Sequence, residues 1–67
     1  MYTGKKIRIL REKYKMTQYE LSKKTNLTQS QVSKIEKGKR KITDVDLKKI
    51  TKALHVTIQD LLEQEVI

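Results

Sequence analysis

The side chains best suited to chemistry in this chain cluster around Val32 and Ile35. If a helix turns those two aliphatics inward, Gln29, Ser30, Ser33 and Lys34 face solvent. Glutamine can bond adenine with two hydrogen bonds, lysine can donate to O6 and N7 of guanine, and serine suits several base edges. Gln31 lies beside them and could reach a phosphate or a base edge. Directly after comes a basic run, with Lys34, Lys37, Lys39, Arg40 and Lys41 against the single acid Glu36. Contacts of that kind to phosphates neutralise charge and release counterions. A polar face kept only for solubility has the same composition, so residue types alone leave both readings open.

Composition narrows the classes. A chain of 67 residues holds one domain, and it buries only roughly 60% of its unfolded surface. Sixteen Lys and Arg against eight Asp and Glu give a net charge of +8, which favours polyanionic partners. With no cysteine, disulfides and thiolate metal sites are excluded, and the lone His55 reads as a loop residue, not a ligand or switch. No acid–base pair or nucleophile constellation stands out, so no enzyme, metal, cofactor or small-molecule ligand is expected. No apolar run approaches the roughly 20 residues that cross a bilayer, and no signal-peptide core follows Met1. A soluble, cytoplasmic protein associated with the nucleoid is expected.

These groups need elements to position them. Without proline, nothing forbids helix along the chain. Thr17-Gln18-Tyr19-Glu20 and Thr28-Gln29-Ser30-Gln31 are capping boxes, while Thr43…Asp46 and Thr57…Asp60 are looser versions ending in aspartate. With an uncapped first segment, they predict five helices: about Gly4 to Tyr14, Gln18 to Thr25, Gln29 to Lys37, Asp44 to Leu54 and Ile58 to Glu63. Ile7, Leu10 and Tyr14 form one inward stripe, Leu21 anchors the second helix, and Leu47, Ile50 and Leu54 are in register. Gly38 falls just past the third helix, where a left-handed residue belongs. Asn26 and Leu27 alone connect the second and third helices, so these must cross steeply. Asparagine tolerates a left-handed backbone there. The expected fold is all-α, a compact five-helix domain over 1–67 with a helix-turn-helix at about 17–37; an ordinary helical corner fits the geometry equally well.

Arg11, Met16-Thr17-Gln18, Glu20-Leu21-Ser22, Asn26-Leu27-Thr28 and Val32 through Gly38 together resemble the Cro/lambda-repressor (Xre-like) helix-turn-helix family. The similarity continues through Ile50–Thr57 to Leu61-Leu62, covering roughly Ile7 to Leu62. The resemblance implies a DNA-binding domain, usually dimeric, that reads double-stranded DNA with its third helix. Gln29, Ser30 and Ser33 match the family's base-contact positions, and Lys34 joins them on spacing. Gln18 matches the residue that bonds a phosphate and props the third helix. Gln31, Lys37, Lys39, Arg40 and Lys41 are the further candidate phosphate contacts. Arg11 and Glu36 match the paired charges that link the first helix to the third. Three departures stand out. Asn26 and Lys15 occupy positions where the family usually or often has glycine, and Ser22 replaces a small alanine, so its hydroxyl needs a backbone acceptor if buried.

The carboxyl-terminal end differs in charge. From Val56 to Ile67 it holds Asp60, Glu63 and Glu65 and no lysine or arginine. DNA would repel such an end. Ile58, Leu62, Val66 and Ile67 offer more apolar surface than a short last helix can hide beneath itself, which predicts a homodimer interface near the corner of the fourth and fifth helices and the tail 63–67; a frayed terminus is the alternative. The leading expectation is a repressor reading an inverted repeat. An antitoxin-type protein, with a toxin or antirepressor as its partner and DNA binding secondary, is the second. A membrane-surface role is not expected, because no helix shows the strongly basic amphipathic face it needs.

Overall fold

The computed structural model describes residues 3–62. Within them the chain forms α1 (Thr3–Lys13), α2 (Gln18–Thr25), α3 (Gln29–Glu36), α4 (Asp44–Leu54) and α5 (Ile58–Leu62). No strand occurs among the described residues. Every helix after the first starts on a closed capping box. Thr17, Thr28, Thr43 and Thr57 each accept the backbone N–H three residues on, and Glu20, Gln31, Asp46 and Asp60 each accept the threonine's own N–H. Aspartate is long enough to close the box, so the looser versions cap as fully as the strict ones.

Three helices stop in one way. After α1, Met16 N–H reaches the Arg11 carbonyl and Lys15 N–H reaches that of Glu12; Lys39 and Gly38 do the same after α3, Val56 and His55 after α4. This paired arrangement needs a left-handed residue at its centre, and Lys15, Gly38 and His55 have φ of 56, 74 and 57°. Asn26, φ 62°, plays the corresponding part after α2. His55 is therefore the residue that ends α4. Lys15 ends α1 earlier than its apolar spacing predicts. Tyr14 lies beyond that end and is about half exposed, and the inward place expected for it belongs instead to Arg11, which is buried.

The α2–α3 corner is held by Thr25. Its hydroxyl donates to the Leu21 carbonyl at 2.7 Å and accepts the Leu27 N–H at 3.4 Å. Ser22 finds the acceptor it needs in the Tyr19 carbonyl, 2.6 Å away. Around this corner α2 packs on α3 and α4, α1 crosses to α3, and α5 closes the bundle against α1 and α4. Ile7, Leu21, Val32, Ile35, Ile50, Ala53, Leu54 and Leu61 form the buried core, with Leu10, Met16, Leu27, Ile42, Leu47 and Val56 packed against it. A helix of eight residues is unstable alone in water. The position of α3 therefore comes from what its inner face touches.

Candidate nucleic-acid interface

That inner face holds Val32, Ile35 and Glu36, all buried. Glu36 is the unusual member. Arg11 Nε donates to its Oε2 at 2.7 Å and Arg11 Nη2 to its Oε1 at 3.0 Å, a two-pronged ion pair spanning α1 and α3. Arg11 Nη1 donates to the Met16 carbonyl at 2.7 Å. Gln18 Nε2 also donates to Glu36 Oε1, at 3.1 Å. One carboxylate thus fixes α3 to the end of α1 and the start of α2. No buried side-chain polar atom among the described residues lacks a partner.

With that face inward, the opposite face is set. Gln29, Ser30, Lys34 and Lys37 are exposed on it, while Ser33 is half-buried. Ser33 turns toward a cleft that it shares with Arg8, Arg11, Gln18, Glu36 and Lys37. Gln31 is partly committed to the scaffold, because its Oε1 accepts the Thr28 N–H at 2.9 Å and only its amide end is open to a phosphate. Lys39 and Lys41 are exposed beyond α3. Arg40 is drawn away from them, with Nη2 3.6 Å from Asp46 Oδ2 at the start of α4. The structure thus puts Gln29 and Ser30 at the amino end of α3 and Lys34 in its last turn, brings Gln18, Ser33 and Lys37 around one cleft, and ties Arg40 partly into the scaffold.

Three other carboxylates are held ionised. The Arg8 hydrogen bond at 2.8 Å keeps Glu12 below the usual carboxylate range. The Thr17 and Thr57 backbone N–H groups do the same for Glu20 and Asp60. Of the residues named for a dimer interface, only Ile58 is described with its side chain. Ile58 is 40% exposed at the start of α5. The side chain of Leu62, and Val66 and Ile67 entirely, lie outside the described residues. Among the described residues no group of three or more His, Cys, Asp or Glu could hold a metal ion, and no helix is long and apolar enough to cross a membrane.

One exposed feature lies outside the sequence-based expectations. Tyr19, one residue into α2 past Gln18, is 55% exposed, with Lys23 Nζ 5.2 Å from its ring centroid. The signal is present in the sequence, since the pair is spaced i, i+4 on a helix.

Comparison with known proteins bears on this geometry. A family model described as helix-turn-helix matches residues 7–61. The chain belongs to that helix-turn-helix family, of the Xre or lambda-repressor type. No curated protein matches it significantly. Among solved structures, it resembles the restriction-modification controller protein C.AhdI from Aeromonas hydrophila at 29% identity and a TM-score of 0.86, covering 88% of this chain and 89% of that one. It also resembles the P22 c2 repressor in complex with a synthetic operator, at 26% identity and 0.84, covering 91% and 92%. The clp gene regulator ClgR from C. glutamicum, at 23% identity and 0.87 over 90% and 78%, shares the fold.

Proposed function

We propose that this family member, a DNA-binding transcriptional regulator, is a dimeric repressor that lays α3 in the major groove of an inverted-repeat operator. The carrying observation is the Arg11–Glu36–Gln18 junction, which buries one side of α3 and leaves Gln29, Ser30, Ser33 and Lys34 to meet base edges. Gln29 bonds adenine, Lys34 donates to guanine, and the two serines adapt to either. Gln18, Gln31, Lys37, Lys39 and Lys41 supply phosphate contacts, with Arg40 assisting where its pairing with Asp46 allows. The P22 c2 repressor, solved with an operator, supports the docking. The half-exposed Ile58 and the apolar residues Leu62, Val66 and Ile67 form the dimer contact in this reading. The acidic residues of that end stay off the DNA.

The test is selection from a randomised duplex of about 30 base pairs at stated salt. Enrichment of an inverted repeat with half-sites about one helical turn apart supports a dimeric operator reader. Retention of the pool without enrichment refutes base reading and points to a partner-dependent protein. Sedimentation as a monomer on the selected operator refutes the dimer.

A further inference from the structure

The two flanks of α2 differ in chemistry. Toward α4, Lys24 shares a notch with Lys49 and Lys52. Toward α3, Tyr19 and Lys23 share a notch with Thr28 and Gln29, so this pair stands beside the amino end of the helix assigned to base reading. Tyr19 leaves more than half its surface in water. A tyrosine ring gains by burial, and its hydroxyl is a strong donor, so such a placement suits a surface that is covered in use. Lys23 Nζ is already poised over the ring at 5.2 Å. A lysine held this way loses less freedom on meeting an anion than one that samples every rotamer.

We propose that Tyr19 and Lys23 form a backbone clamp, the hydroxyl donating to, and the ammonium facing, one phosphate of the bound duplex. The clamp rests on the placement of α3 in the major groove. With α3 there, the first helix of the motif crosses the sugar–phosphate ridge at the groove's edge, and α2 is that helix. Of its two flanks, the one sharing a wall with Gln29 is nearer the groove. A tyrosine hydroxyl and a lysine are both ordinary phosphate ligands. The contact carries no base information. It adds affinity and fixes how far α3 slides along the groove, which makes the two side chains positioning residues for the base readers.

Both side chains are exposed, so Tyr19→Phe and Lys23→Ala keep the fold. Each variant of the full chain is titrated with a random-sequence duplex and with the selected operator over a range of salt. Lys23→Ala should flatten the logarithmic salt slope by about 0.9 on both duplexes, as loss of one phosphate contact requires. Tyr19→Phe removes a neutral donor and should weaken both by roughly fivefold with the slope unchanged. An uncharged methylphosphonate walked along the operator should erase both losses at the same position. Lys52→Ala, on the other flank, should change neither quantity. Wild-type binding by both variants overturns the clamp, as do losses that map to different phosphates or an equal slope change in Lys52→Ala. Failure of the groove placement reads differently: no operator is enriched, and Gln29→Ala binds every duplex like wild type. An intact operator preference lost in Gln29→Ala, beside unchanged Tyr19 and Lys23 variants, removes the clamp alone.

Discussion

Arg11 of α1 and Glu36 of α3 lie 25 residues apart in sequence and meet through two hydrogen bonds, 2.7 and 3.0 Å long, both buried. The outer face of α3 is therefore held from behind by charge as well as by Val32 and Ile35. A buried pair of this kind adds little net stability, but removing one partner strands the other charge. Glu36→Ala should cost about 3–5 kcal/mol, a large part of what a domain this small possesses. Replacing both, as Arg11→Met with Glu36→Leu, should recover most of the loss. Urea denaturation of both single variants and of the double decides: a loss in the double equal to the sum of the two single losses would show that the pair is not coupled.

Lys15 holds a left-handed backbone that suits glycine better. Lys15→Gly should relieve on the order of 1 kcal/mol of steric cost, a rise of about 4–8 °C in Tm for a domain of this size. A lower Tm would mean that the lysine stem contributes packing that outweighs the strain.

Base reading and charge separate cleanly by mutation. Gln29→Ala or Ser33→Ala should cost about 1–3 kcal/mol on the selected operator and little on random DNA. Lys39→Ala should weaken every duplex alike and lower the salt slope by about one unit. Equal losses on both duplexes for Gln29→Ala would remove it as a base reader. Ser33 carries a second expectation, because it also borders the Arg11–Glu36 cleft. Its replacement should leave the folded helix content unchanged by circular dichroism.

Glu20 and Asp60 close their capping boxes as carboxylates, and the threonine N–H groups lower their pKa values from 4.5 and 3.8. A depressed folded pKa gives stability that is present above the unfolded pKa and lost as pH falls through the folded one. Thermal stability should therefore decline below about pH 4.5. Glu20→Gln and Asp60→Asn should each make that decline shallower. A pH profile identical to wild type would show that these caps do not titrate with folding.

The helices are legible in the sequence because their start signals are local. Four threonines with a Glu, Gln or Asp three residues on place α2 to α5, and the expected boundaries of α2 and α4 agree with the structure. Tyr14 departs from its expected place because the end of α1 depends on a left-handed lysine, a conformation that a lysine does not advertise. Arg40 departs from its basic neighbours, since a charge run shows composition but not which member folds back; Asp46 is visible in the sequence only as a cap. Gln31 is a similar case, its carbonyl end claimed by the box that starts α3. The Arg11–Glu36 pair is accessible only through the family resemblance. No spacing rule links positions that far apart.

The shortness of α3 has a thermodynamic corollary. Eight residues held only by their inner face have no existence as a helix outside the folded domain. Whatever binds the outer face binds the native state alone, so ligand and core are linked by mass action. At a free concentration about one hundred times its Kd, a bound duplex would raise the unfolding free energy by about 2.7 kcal/mol. Occupancy could thus be followed as protection of the whole chain, with amides in Leu21 or Ile50, buried away from α3's outer face, exchanging more slowly with solvent deuterium.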